Sequence, residues 1–361
     1  MTAVLPQTSA ASAEERQALR TAVAGFLADH CSEDSVREAM ATPDGYDPKA
    51  WAQLAELGVL GLAVPESRGG AGSTFAEVGI VLEELGRALY PGPFLATTLA
   101  VVALNAADDE GLRAAYLPAI ASGDLIASLA IEQPARGSRP ASQVAVDAGR
   151  LTGVVPYVLD GHLAQLLVVA AGDGVYVVEP GASGISTELL TTTDQTRRLA
   201  RLELDGTPAA RIGGLDLVEH LLAVAAAALA CEQVGGAEAV LASAISYAKV
   251  RTQFGRPIGS FQAIKHLCSD MFLGVESAKA AARKAAGAVD GPEFPELASI
   301  AKAWCSDTYS QAAATSLQIH GGVGFTWEHS AHLHLKRAKT DELLFGDARH
   351  HRARLADALG V

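Results

Sequence analysis

The chain has 361 residues, 49% of them hydrophobic, enough to bury a large core and to build two or three structural units. Its formal net charge of −13, from 28 basic and 41 acidic residues, disfavours broad contact with nucleic acid or an anionic membrane, but leaves room for a local basic pocket. Cys31, Cys231, Cys268 and Cys305 form no CxxC pair, which excludes a zinc ribbon or a disulfide framework and points to a reducing, cytoplasmic setting.

The opening MTAVLPQTSA lacks a basic flank followed by an apolar run, so no signal peptide is expected. Ser12 and Glu15 have capping-box spacing, and Leu19, Val23, Phe26 and Leu27 recur on one face, which predicts a helix. Helical runs follow at residues 51–57 and 75–89, separated by a turn rich in glycine at Gly69, Gly70 and Gly72. From about Asp124 the texture changes to short β-branched runs such as LLVVAA and GVYVVE, punctuated by Gly, Pro and Asp, as in a small antiparallel sheet domain.

Alanine-rich helical patterns return beyond Leu215, at residues 218–250, 262–289, 294–319 and 328–335. The apolar run at 221–231 is too short to span a bilayer and ends at Glu232, so a buried helix is expected rather than membrane insertion. The order is helical, β, helical, an α+β chain divided at 1–123, 124–217 and 218–361.

The most informative stretch is YAKVRTQFGRPIGSFQAIKHLCSDM, residues 247–271. Tyr247 and Arg251 share a helix face, Gly255 suits a C-cap and Pro257 cannot continue the helix, so a helix end is fixed beside Arg251 and Gln253. Spacing alone fits an ordinary helical hairpin as well as a ligand site.

This stretch resembles the signature of flavin-dependent acyl-CoA dehydrogenases, and QIHGGVGFTWEH, residues 318–329, resembles that family's second signature. WAQLAELGVLGLAVPESRGGAG and VLEELGRAL are similar to its first helical domain, so the likeness covers nearly the whole chain. The resemblance implies an N-terminal helical bundle, a central antiparallel β-barrel or sandwich, a C-terminal four-helix bundle, and FAD at a subunit interface.

It further implies that Arg251 and Gln253 contact the FAD diphosphate and ribityl region, with Phe254, Phe261 and Gln262 close by, on the flavin of a neighbouring subunit. A guanidinium pairs bidentately with phosphate oxygens, which suits that role. Dimers, and tetramers built as pairs of dimers, follow from the same likeness. Gln318, Ile319, His320, Gly321 and Gly322 would complete the site, the two glycines allowing close backbone approach. GGVG lacks the GxGxxG spacing of a nicotinamide-binding fold.

IEQPARGSRP, residues 131–140, is similar to the family loop TEPGAGSD beside the flavin ring: Pro134, Gly137 and Ser138 are retained, with Glu132 and Arg139 at the usual Thr and Asp positions. Tyr157 stands where the family often has an aromatic residue against the isoalloxazine; packing in the sheet core is the alternative reading.

The implied reaction is α,β-dehydrogenation of an acyl-CoA thioester in fatty-acid or lipid metabolism, with electrons passed to an electron-transfer flavoprotein. Proton removal beside a thioester needs a base, usually a Glu before a Gly shortly after the second signature. Phe345, followed by Gly346, occupies that position, and Ala225 occupies the alternative place on the preceding helix.

Glu232 lies on a similar face of that helix, about 10 Å further along, and is the first candidate base; Asp347 is the second, and Glu342 reads as a solvated helix residue. The other outcomes are a chain that completes a sister subunit's flavin site without supplying a base, or a related oxidase or an enzyme acting on a protein-carried substrate. Glu328, His329, His332 and His334 lack HExxH spacing, so no metal is expected, and the run from Arg349 to Arg354 reads as a solvated basic face rather than a contact for CoA phosphates. Neither a GxSxG elbow nor a Walker loop is present.

Overall fold

The computed structural model describes residues 11–134 and 143–361. Helices come first: α1 (Ala13–His30), α2 (Glu33–Met40), α3 (Pro48–Glu56), α4 (Phe75–Arg87), α5 (Phe94–Asn105) and α6 (Glu110–Ala121). Ser12 caps α1 through a complete capping box, its Oγ accepting from the Glu15 N–H at 3.2 Å while the Glu15 carboxylate accepts from the Ser12 N–H at 2.7 Å. Helix α5 is buried along almost its whole length and apolar on every side, which erases the period that would announce it in sequence.

The β region holds β1 (Ala127–Ala130), β2 (Ala145–Asp147), β3 (Arg150–Leu159), β4 (Leu166–Ala171), β5 (Gly174–Val178), β6 (Ile185–Leu189), β7 (Leu199–Pro208) and β8 (Ala210–Gly213). They form two sheets, ordered β1-β4-β5-β8 and β2-β3-β7-β6. The expectation of purely antiparallel pairing needs one correction, because β1 runs parallel to β4. The polypeptide between them carries β2 and β3 of the other sheet, which supplies the crossover that a parallel pair requires. Val155, Leu167, Val169, Val178 and Leu202 fill the space between the sheets, as in a sandwich.

Helix α7 (Leu215–Val250) begins the C-terminal bundle, followed by the two-residue strands β9 (Thr252–Gln253) and β10 (Arg256–Pro257), then α8 (Gln262–Ala286), α9 (Phe294–His320), α10 (Ala331–Leu343) and α11 (Ala348–Leu359). By length and composition α7 could cross a membrane, yet 78% of its most apolar window is buried inside the protein, the pattern of a core helix. Its crossing with α4 depends on glycine: a Cβ on Gly235 would lie 1.7 Å from the Glu83 carbonyl oxygen, and one on Gly86 would lie 2.0 Å from that of Glu232.

One core cluster joins the N-terminal helices, α7 and the inner face of the first sheet, and includes Leu54, Leu82, Leu99, Val168 and Leu229. Each fully buried leucine there contributes roughly 1.5–3 kcal/mol relative to exposure. A second helical cluster around Val240, Met271, Tyr309 and Ile319 holds the far half of α7 against α8 and α9. The ends of α7 and α9 are therefore fixed beside each other.

Candidate active site

Helix α7 stops at Val250, where Arg251 turns extended (φ −69°, ψ 121°) and its N–H still donates to the Tyr247 carbonyl. Gln253 then pairs with Arg256 and Thr252 with Pro257 in a short antiparallel ladder. Phe254 (φ 51°) and Gly255 (φ 76°) form the tip, the double positive φ of a type I′ turn. Gly255 thus serves a β-hairpin rather than the helix cap its position suggested; Arg251 is the C-cap residue.

Phe254 is 92% exposed, Arg251 and Gln253 are also exposed, and the Gln253 side chain donates only to the neighbouring Thr252 carbonyl at 2.9 Å. Among the described residues Arg251 has no ion-pair partner. Arg256 stacks over the Phe261 ring at 4.1 Å, and Phe254 meets Phe261 edge-on at 6.1 Å, so the hairpin is braced while its tip projects outward. Gln262 opens α8 directly behind it and is exposed.

The second signature lies at the end of α9. Ile319 is buried in the bundle core, whereas Gln318 is exposed. The His320 ring is buried, with Nδ1 2.7 Å from the Ser316 carbonyl and Nε2 3.3 Å from the Ser243 hydroxyl. A carbonyl only accepts, so Nδ1 donates to Ser316, and Nε2 shares a hydrogen bond with the Ser243 hydroxyl. The same ring packs on Tyr247 at 4.5 Å, tying the second signature to the last turn of α7.

Gly321 follows with φ 62° and ψ −139°, a conformation that residues with a Cβ rarely adopt. Beside Gly321 and Gly322 nothing lies within 4 Å of where a Cβ would stand. An exposed guanidinium, an exposed side-chain amide, an aromatic tip and an open glycine cradle at one end of the bundle fit the phosphate-bearing tail of a dinucleotide.

The sheet contribution is only partly described. Tyr157 stands beside a register irregularity of β3 against β7 and is 51% exposed, so it is an outward-facing ring and not a member of the sheet core. Pro134 is half-buried beside Phe345, while Gly137 and Ser138 lie outside the described residues. Glu132 accepts from the Gln143 N–H at 3.0 Å and its side-chain amide at 3.2 Å, joining the two described ends of this loop.

At the expected base position Phe345 is buried at 3% exposure with φ 58°, a strained conformation for an aromatic residue. Three partners hold this turn. The Phe345 N–H donates to Gln133 Oε1 at 2.5 Å, its carbonyl accepts from His351 Nε2 at 3.0 Å, and the Gly346 carbonyl accepts from Lys302 Nζ at 2.9 Å. Burial pushes Lys302 down to about 8 and His351 to about 3. Ala225 is fully buried in the apolar core.

The structure brings neither candidate base to an open site. Glu232 is buried and accepts from both Arg197 and Arg337, the latter at 2.5 Å. Burial alone would raise its pKa, but the charge and hydrogen bonds of the two guanidiniums hold it below the usual carboxylate range. Arg337 also pairs with Asp194 at 3.1 Å, and Asp341 lies 3.5 Å from Arg197 Nε. The cavity beside Glu232 measures about 20 Å³, room for one water and not for an acyl chain. Asp347 is committed elsewhere: it caps α11, accepting from the His350 N–H at 2.8 Å.

Arg197, Arg337, Asp194, Asp341, Gln133 and Lys302 shape this region without having been singled out in sequence. The i, i+4 spacing of Arg337 and Asp341 was the available signal, but it looks the same on a solvated helix.

Other clusters resolve differently from expectation. His334 is buried against the Tyr309 hydroxyl at 2.9 Å, while His332 meets Trp327 and His329 meets His320. The α11 run is not uniformly solvated: His350 and His351 are buried, and Arg349 and Arg352 are exposed. Glu342 is half-buried and accepts from Ser310 at 2.9 Å and Lys339 at 2.7 Å.

Residues 13–124 match the family model for the acyl-CoA dehydrogenase N-terminal domain, and residues 213–360 match the model for its C-terminal domain. Acyl-CoA dehydrogenase IpdE2 of Mycobacterium tuberculosis is 39% identical over 90% of this chain and 91% of its own length. Two solved structures superpose with TM-scores of 0.90 at 30% identity. One is the Tcur3481-Tcur3483 steroid ACAD G363A variant, covering 96% of this chain and 98% of its own. The other is the ChsE4-ChsE5 complex from Mycobacterium tuberculosis, covering 98% and 99%.

Proposed function

Because the chain belongs to the acyl-CoA dehydrogenase family and is a flavoprotein oxidoreductase that uses FAD, we propose that it works as the base-lacking chain of a two-component acyl-CoA dehydrogenase. In this reading it supplies flavin contacts, and a sister chain supplies the proton acceptor. The observation that carries it is the closed interior: Phe345 fills the position of the base, and Glu232 is held by Arg197 and Arg337 beside a cavity of about 20 Å³.

When bound, FAD would supply the acceptor for the hydride lost from Cβ of the thioester. This chain's own part is to hold and orient. Arg251 at the end of α7 and Gln253 on the hairpin would meet the phosphates, Phe254 would cover the neighbouring surface, and Gly321 and Gly322 would leave space for the dinucleotide backbone. Tyr157, half exposed on β3, would offer its ring to the flavin. Neither candidate base is available to accept a proton from Cα: Glu232 is paired and Asp347 caps a helix.

The names of the two superposed proteins support this assembly, since each names two components, and one is called a steroid ACAD. The substrate in this reading is the CoA thioester of a bulky, polycyclic acyl group, and its electrons leave to an electron-transfer flavoprotein.

Purified alone, the chain is expected to retain FAD weakly and to show no anaerobic bleaching with any member of an acyl-CoA panel. Co-purified with its sister chain, it is expected to be yellow and to bleach. Full flavin retention and bleaching by the single chain would overturn the proposal.

A further inference from the structure

The second signature runs into α10 through His329, and the start of that helix is capped by an imidazole. Ser330 stands at the N-cap without a side-chain bond to the helix. Ala331, the first helical residue, is buried, and its N–H donates to His329 Nδ1 at 3.1 Å. The first N–H groups of a helix have no partner inside it, so His329 does here what Ser, Thr, Asp or Asn does at most helix starts. An imidazole nitrogen accepts only while it carries no proton.

The same ring lies against the glycine turn of the candidate flavin site. Its centroid is 4.4 Å from that of His320, which packs in turn on Tyr247 of α7 and leads directly into Gly321 and Gly322. The charged groups acting on His329 are His320 from α9 and Glu33 and Arg37 from α2, and the last two pair with each other at 2.6 Å. Asp34 and Glu328 line the cleft beside Trp327, while His332 and Lys336 follow on α10. Burial and then His320 hold His329 below the usual histidine value, with Glu33 opposing them and Arg37 adding to them. A proton on Nδ1 would point a donor at the Ala331 N–H, and would set a positive charge at the positive end of α10 beside a second imidazole.

We propose that His329 is a pH-sensitive latch on the second signature: with Nδ1 unprotonated it fixes the start of α10 and the glycine turn, and protonation releases both. Loss of the cofactor on acidification follows if Gly321 and Gly322 are flavin contacts, so that part rests on the function proposed above. The sign is set by the folded chain binding this proton less readily than the unfolded one. The stabilising contribution is present above about pH 6.5 and is lost as the pH falls below it.

Hydrogen–deuterium exchange of the full single chain, without added FAD and corrected for the intrinsic pH dependence of exchange, tests the latch by itself. Protection of residues 330–335 is expected to be at least about threefold lower at pH 5 than at pH 7.5. His329→Asn, whose side-chain oxygen accepts in place of Nδ1 and does not titrate, should keep its protection at both values. His329→Ala should show the acid behaviour already at pH 7.5, and His332→Asn should respond to pH as the parent does. In the assembled two-chain enzyme the parent should release FAD at pH 5, while His329→Asn should retain it. Equal protection of the parent at both pH values, or a loss shared by His329→Asn, would overturn the latch. Opening in the exchange experiment with FAD still retained at pH 5 would overturn its link to the cofactor. An assembly that binds no FAD at any pH would overturn the flavin reading instead, and the exchange result would still decide the latch.

Discussion

Tyr247 and His320 stand with ring centroids 4.5 Å apart, joining the last turn of α7 to the last residue of α9. That contact puts the Arg251 hairpin and the Gly321 turn at one end of the bundle, although their sequences are separated by more than a whole helix. His320→Ala removes the ring contact and the bonds to Ser316 and Ser243. A stability loss of about 2–3 kcal/mol is expected. Flavin content of the assembled enzyme should fall with it, as read by thermal melting and absorbance at the flavin band.

Phe254→Ser should behave in the opposite way. A ring that is 92% exposed contributes little to the fold of the chain itself, so the expected stability change is within about 0.5 kcal/mol. Flavin retention and pairing with the sister chain should nonetheless weaken. Equal flavin content in the variant and the parent assemblies would show that the tip is not a cofactor or partner contact.

Glu232→Ala isolates the buried network. It leaves Arg197 and Arg337 facing each other in a closed interior with Asp194 and Asp341 as remaining partners. Breaking a buried ion pair from one side costs about 3–5 kcal/mol, so urea unfolding should shift strongly. The rate of anaerobic flavin reduction in the folded two-chain enzyme should stay within about twofold of the parent. A large rate loss in Glu232→Gln, which keeps the shape of the side chain, would return Glu232 to the role of base.

Much of this architecture was legible because helical spacing, β-branched runs and the two signatures are local properties of the sequence. The helix end at Arg251 follows from the residues themselves, and so does the buried character of α7. The role of Gly255 was not legible, because a positive-φ glycine serves a helix cap and a type I′ turn equally well. The fate of Glu232 was hidden for a different reason. A carboxylate interrupting an apolar helix is either a base or half of an ion pair, and its partners Arg197 and Arg337 lie on distant segments. The parallel pairing of β1 with β4 is likewise a tertiary choice that strand patterns do not encode.

Phe345→Glu would restore the residue type expected before Gly346, yet no gain of function is expected. The side chain would enter a buried space where the turn is already held by Gln133, His351 and Lys302. Lys302 is committed to the Ser306 hydroxyl and to backbone carbonyls of Glu342 and Gly346. The new carboxylate would therefore replace an apolar ring with a poorly paired charge, at a cost of at least about 3 kcal/mol. Thermal melting should drop, and the single chain should still fail to bleach with acyl-CoA.

The buried network also sets a pH dependence. Burial is the largest influence on Asp341 and raises it to about 7; Glu232 and Asp194 add to that, while Arg197 and Arg337 oppose it. The folded chain therefore keeps a proton that the unfolded chain loses near the ordinary aspartate value. This stabilising contribution is full below about pH 4 and is lost as pH rises through about 7. Asp341→Asn mimics the protonated group at every pH, so it should match the parent at about pH 4 and exceed it at about pH 7. The expected gain between those values is about 1–2 kcal/mol, below the limit of about 1.4 kcal/mol per pH unit because the neighbouring charges titrate with it. Buried His334, lowered to about 3, acts with the opposite sign on acidification, but both proteins carry it and the difference between them removes it. Urea unfolding of the two proteins across this range would show a difference that grows with pH; a constant difference would mean that Asp341 is already ionised in the folded chain.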